Sequence, residues 1–238
     1  MAMTQHIVAS YEKELRELGR KIAEMGGQVE RLVADSMTAL LKRDVSLAEK
    51  VIIADRKVNA LQHEIENAAV TMIALRQPIA DDLREVISSI RVAIDLERIA
   101  DHAKNTAKRT LALDGEFMAQ KQLRGVEHMG EIALEQLKAV LDAYTNRDDA
   151  KALAVWRRDG EIDAIYTSLF RELLTYMMED PRSITLCTHL LFAAKNIERI
   201  GDHAQNIAET VHYLVVGEPV VEEGVLPDNL NKKFGPSR

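Results

Sequence analysis

Along most of the chain, apolar residues recur at steps of three and four, as in Ala54, Val58, Leu61 and Ile65, or Val92, Leu96, Ile99 and Ala103. That period predicts amphipathic helices rather than strands, whose inward positions would alternate. Breakers cut the pattern at "LLKRDVS" (40–46), "LRQPIADD" (75–82), "LALDGEF" (111–117), "NRDDA" (146–150), "MMEDPRS" (177–183) and "VVGEPVVEEG" (215–224). Six helices are predicted, at about 4–42, 46–76, 80–111, 117–146, 149–178 and 183–215. At 1.5 Å per residue, each is on the order of 45 Å long. Short joins between long helices favour antiparallel neighbours packed as bundles. Asp44 and Asp148 are the expected caps of the second and fifth helices, Asp81 or Ala80 opens the third, and Ser183 the sixth. Gly26-Gly27 marks an expected kink in the first helix, and 217–238 an expected disordered tail.

The chain also repeats itself. "DLERIADHAKNTAK" at 95–108 returns as "NIERIGDHAQNIAE" at 196–209, with eight of fourteen positions identical. "RDVSLAEKVIIADRKVNAL" (43–61) aligns without a gap on "RDDAKALAVWRRDGEIDAI" (147–165). The expected fold is therefore all-α: two tandem, pseudo-symmetric three-helix bundles at 1–113 and 114–216, followed by the tail.

Composition narrows the function. Hydrophobic residues reach 47% with only 4% aromatic, which suits helices of unbranched side chains. A formal net charge of −7 argues against non-specific nucleic-acid binding, which needs phosphate neutralisation. Cys187 is the single cysteine, so an intramolecular disulfide is excluded, and its apolar neighbours mark it as a small buried hydrophobe. The N-terminus lacks the pattern of a signal peptide, and no run of about 18 apolar residues appears. A cytoplasmic protein is expected.

The repeated polar residues carry the candidate chemistry. Glu97 and Asp101 are four apart, as are Glu198 and Asp202, so each pair shares one helix face. Asp159 and Asp163 repeat this spacing on the fifth helix, and Asp55 with Asn59 holds the matching place on the second. Relative to the apolar seams these acids are expected to point outwards. Like charges at i,i+4 repel, and a cation bridging them would relieve the repulsion and gain hard oxygen ligands. The competing reading is a solvated acidic face with Arg98 and Arg199 as counter-charges. His102 and His203, directly after the aspartates, read as packing residues before metal ligands, and Trp156 as packing. A buried di-iron oxidase needs E-x-x-H on two helices, and only Glu209–His212 fits. Phosphate-binding loops, dinucleotide fingerprints and H-E-x-x-H are all missing from the sequence, so no enzyme is expected.

The doubled E-R-I-x-D-H-A-x-N phrase, the "RQPIADDLREV" stretch at 76–86 and the tandem layout together resemble the PhoU family, over about residues 4–216. That resemblance implies two similar three-helix bundles and, commonly, a homodimer. It implies an adaptor that links the phosphate ABC transporter, through its ATPase subunit, to the phosphate-sensing histidine kinase and response regulator. Such a protein restrains phosphate uptake and the phosphate-starvation (Pho) response, with no nucleic-acid contact, peripheral to the inner membrane through partners alone. It further implies iron or zinc clusters on surface E/D-x-x-x-D motifs, here Asp55, Glu97 and Asp101 in the first half and Asp159, Asp163, Glu198 and Asp202 in the second. Oxygen ligands also accept magnesium or manganese. Asn59 departs from the acidic pattern. From the residues themselves, a metal-buffering helical protein is the alternative, and a di-metal oxidase a weaker one.

Overall fold

The computed structural model describes residues 2–113 and 120–221, with side chains described over 11–113, 123–158 and 160–221. Its elements are α1 (Ala2–Lys42), α2 (Val45–Arg76), α3 (Asp81–Ala112), α4 (Gln120–Asn146), α5 (Asp149–Trp156), α6 (Asp159–Glu179), a 3-10 turn (Pro181–Ser183) and α7 (Ile184–Val216). The expected start of the fourth helix at 117 and the tail beyond 221 lie outside the described residues.

The same turn opens both copies. Arg43 and Arg147 take left-handed conformations (φ 56° and 52°), and the following Asp44 and Asp148 accept hydrogen bonds from Leu47 N (2.9 Å) and Lys151 N (3.0 Å). Both predicted caps are therefore in place. Ser183 is not a side-chain cap: its hydroxyl donates back to the Tyr176 and Asp180 carbonyls, and Asp180 caps the 3-10 turn instead. At the opening of α3, Ala80 sits at φ 49°, ψ −116°, a conformation natural to glycine.

The fifth predicted helix is two helices. At Arg158 the backbone leaves helical geometry (φ −92°, ψ 10°), and its guanidinium bonds Glu135 of α4 (2.7 Å) and Glu161 of α6 (2.8 Å). Asp159 and Gly160 follow, two poor helix formers, so the chain bends where that clamp holds it. At Gly26-Gly27, where a kink is expected, α1 continues as one helix. Gly26 serves a close approach instead: a Cβ there would come within 2.8 Å of Leu141 on α4.

α1, α3, α7 and α4 pack as a closed four-helix arrangement in which α4 also meets α1, with α3 against α7 the most extensive pair. α2 flanks this bundle on α1 and α3, and α5 with α6 flanks it on α4 and α7. The two halves thus share one continuous core, in which Val92, Leu96, Ile99 and Ala103 on α3 and Leu190, Ala193, Ala204 and Ile207 on α7 are fully buried. A hydrogen bond between Ser89 and Tyr144 (3.1 Å) and ion pairing of Glu85 with Arg147 add polar ties between halves. Burial pushes the Tyr144 phenol above its ordinary pKa, against the hydrogen bond to Ser89, which pulls it down. Among the described residues, no helix is long and apolar enough to cross a membrane.

Candidate metal centre

The carboxylates lie along the two outer grooves, where α2 meets α3 and where α6 meets α7. Their exposure differs from the expectation. The α2 seam runs through Val51, Asp55, Val58, Ile65, Ala69 and Met72, all buried, with Ala54 and Leu61 only partly buried at its edge. Asp55 therefore occupies a seam position of the 4-3 pattern, and at 4% exposure it points inwards. The outward assignment fails there because three- and four-residue steps allow two adjacent seams on one helix. Glu97 is also mostly covered, with a side chain 22% exposed.

In the first-half groove, Lys104 reaches across from α3. Its Nζ lies 2.9 Å from Asp55 Oδ2 and 2.6 Å from Asp101 Oδ1. Burial would lower the Lys104 pKa, but hydrogen bonds to Asp101 and Asp55 outweigh it, and the ammonium titrates above the ordinary lysine value. Burial likewise works against the Asp101 carboxylate, and the bond from Lys104 prevails and holds its pKa below the usual range. Asn105 Nδ2 donates to Asp101 Oδ2 at 3.0 Å. Two buried oxygens in this groove, Asp55 Oδ1 and Asn59 Oδ1, have no hydrogen-bond partner.

In the second-half groove, α6 brings Asp163 to Glu198 and Asp202 of α7, with one oxygen of each within 4.8 Å of the others. Gly201 permits the approach: a Cβ on it would meet Ile162 Cδ1 at 2.7 Å. Oxygens each about 2.1 Å from one tetrahedral zinc or iron ion stand about 3.4 Å apart, so an ion would draw the trio together by up to about 1.4 Å. Glu198 Oε2 is buried and accepts no hydrogen bond. Positive charge arrives from the rim, as Lys195 on Glu198 (2.5 Å) and Arg199 on Asp202 (3.1 Å). The Asp159 side chain lies outside those described. Of the seven candidates, the structure gathers Asp163, Glu198 and Asp202 into one cluster, and joins Asp55 to Asp101 through a lysine that the sequence reading overlooked. Its signal was present: Lys104 stands three residues after Asp101, on the same face.

The histidines serve the central seam. His102 and His203 stack with ring centroids 5.7 Å apart, where α3 faces α7. Each reaches across to the other half: His102 Nδ1 to Asn196 Oδ1 (3.3 Å) and His203 Nδ1 to Asp95 Oδ1 (2.9 Å). Asp95 and Asn196 are the first residues of the two repeated phrases, which makes the arrangement reciprocal. The lone E-x-x-H is also engaged elsewhere. Glu209 accepts from Trp156 Nε1 (3.0 Å) and His212 Nδ1 meets Asp149 Oδ1 (2.6 Å), so both fasten α5 to α7.

A scan for known families matches the PhoU domain at residues 22–110 and again at 126–211. The chain belongs to the PhoU family. Among curated proteins it is 58% identical over 212 residues to a phosphate-specific transport system accessory protein PhoU homolog of Rhizobium meliloti, covering 89% of this chain and 90% of that one. A protein of the same description from Caulobacter vibrioides is 48% identical over 221 residues, covering 93% and 96%. The crystal structure of PhoU from Pseudomonas aeruginosa matches with a TM-score of 0.83 and 40% identity, over 87% of this chain and all of that one. The phosphate transport system regulatory protein PhoU from Streptococcus pneumoniae matches at 0.82 and 32%, over 89% and 100%. The all-α, doubled architecture expected from the sequence is thus that of solved PhoU structures.

Proposed function

We propose that this PhoU-family chain is a non-enzymatic regulator of phosphate uptake. It acts as an adaptor between the phosphate ABC transporter and its sensor histidine kinase, and restrains the phosphate-starvation response. The observation that carries this reading is similarity along nearly the whole length to proteins named as accessory to phosphate-specific transport. The fold suits the role: a continuous core of long helices holds two outer grooves in fixed relation, as a bridging protein requires. We place the protein in the cytoplasm as a homodimer, reaching the membrane through its partners. A hard metal ion, iron or zinc or failing these manganese or magnesium, belongs to this reading, held by Asp163, Glu198 and Asp202. It would neutralise that groove and fix α6 against α7.

The test is genetic and biochemical together. Deleting the gene in its host should derepress a phosphate-scavenging reporter at high phosphate, and the purified chain should bind the transporter ATPase subunit or the kinase in biolayer interferometry. Unchanged reporter expression, together with no binding to either partner, would refute the adaptor reading.

A further inference from the structure

The sequence repeat gives every position in one groove a counterpart in the other. Glu97 and Asp101 match Glu198 and Asp202, Asn59 matches Asp163, and Lys104 matches Gln205. Two of these exchanges change charge, and both take the first groove the same way: an acid becomes an amide, and an amide becomes an ammonium.

The ammonium engages two of the carboxylates that a metal in the first groove would need. Lys104 Nζ bridges carboxylates from two helices, at 2.9 Å from Asp55 and 2.6 Å from Asp101. Its side chain is 18% exposed and that of Asp55 6%, so leaving would strand a buried carboxylate. In the second groove the cations come from the edge. Lys195 and Arg199 are 40% and 51% exposed, and such side chains move into water with little loss. Glu198 Oε2 stays buried there without a hydrogen bond, with only the Arg199 guanidinium nearby at 3.7 Å.

We infer that Lys104 is the resident cation of the first groove and bars metal from it, so that the chain holds metal only through the Asp163, Glu198 and Asp202 cluster. This rests on the reading above that the second groove binds metal. The two grooves then differ in kind: one is closed by the protein's own charge, and the other depends on an ion supplied by its surroundings.

The test is equilibrium dialysis of the full chain, stripped with chelator, against zinc, with bound ions counted by elemental analysis. Zinc on the wild-type protein should vanish in Glu198→Ala/Asp202→Ala and persist in Glu97→Ala/Asp101→Ala. Lys104→Gln should take up at least one further ion per chain, lost again when Glu97→Ala/Asp101→Ala is added. It should also regain thermal stability on adding zinc. The reciprocal Gln205→Lys should weaken wild-type zinc binding at least tenfold, which keeps the inference testable should Lys104→Gln fold poorly. Wild-type zinc that depends on Glu97 and Asp101, or a Gln205→Lys chain that binds as before, would overturn the assignment to Lys104. Zinc taken up by Lys104→Gln and not by the wild type would uphold that assignment and sink the second-groove reading. Folded chains that all stay zinc-free would overturn both.

Discussion

Removing the Lys104 ammonium should unfold the protein at markedly lower stress, and the size of the effect follows from where its partners lie. Lys104→Met keeps the aliphatic stem and deletes the charge. Asp55, 4% exposed, then holds an ionised carboxylate with neither oxygen bonded, since Oδ1 already lacks a partner. Stripping one member from a buried pair costs about 3–5 kcal/mol. Asp101 is spared most of this, because its side chain is 38% exposed and keeps the bond from Asn105 at 3.0 Å. Lys104 itself is partly reached by water, so about 2–4 kcal/mol is expected, or roughly 5–15 °C in Tm for a chain of this size. The assay is thermal and urea unfolding of chelator-treated protein, followed by far-UV circular dichroism. The double variant Asp55→Asn/Lys104→Met should recover at least half the loss, as the stranded charge is gone. Raising the salt to 1 M should leave the effect nearly intact, unlike a surface pair. A loss below about 0.5 kcal/mol, or no recovery in the double variant, would refute the argument, because Asp55 would then be hydrated or neutral.

Three further outcomes are expected. Ala80→Gly should raise stability by about 0.5–1.5 kcal/mol in urea unfolding, since φ 49°, ψ −116° strains alanine by more than glycine loses in chain entropy. Burial, followed by the nearby His203 ring and Arg199, holds the His102 pKa below its ordinary value, against opposing pulls from Asn196 and Asp101. The folded state thus favours neutral His102, and its contribution is present above the unfolded pKa of about 6.5 and lost as the pH falls below that. A stability profile from pH 8 to 5 should therefore flatten in His102→Gln. Glu209→Gln should weaken the bond from Trp156, costing about 0.5–1.5 kcal/mol, and as Trp156 is the sole tryptophan its fluorescence should report the change directly.

Periodicity carried most of the fold into view. The long runs of α1, α3 and α7 and the Asp44 and Asp148 caps are local properties of backbone and side chain, and local chemistry determines them. The break at Arg158 is different. It depends on a guanidinium held between Glu135 and Glu161, and Glu135 is on another helix. The buried position of Asp55 was hidden for a related reason. Two seams one residue apart satisfy the same spacing, and only the packing of α1 and α3 selects between them. Of the site, the Glu198–Asp202 pair was readable because one helix places both residues. Lys104 was visible as a neighbour of Asp101, but its grip on Asp55 crosses two helices. The seam partners Asp95 and Asn196 are hidden from the repeat, because the two copies differ at that position.

The agreement and the difference have one geometric source. A helix turns about 100° per residue, so the phrase E-R-I-x-D-H-A-x-N addresses three directions at once. Ile99 and Ala103 enter the core, Glu97 and Asp101 line the outer groove, and His102 turns to the seam between halves; Ile200, Ala204, Glu198, Asp202 and His203 do the same in the second copy. A segment committed on three sides has few positions free to change after duplication. Of the six positions that differ, Asp95 against Asn196 and Lys104 against Gln205 lie on the seam and beside the groove and alter charge, whereas Ala100 against Gly201 alters packing by admitting Ile162. Divergence of this kind keeps the shared scaffold and gives the copies different electrostatics.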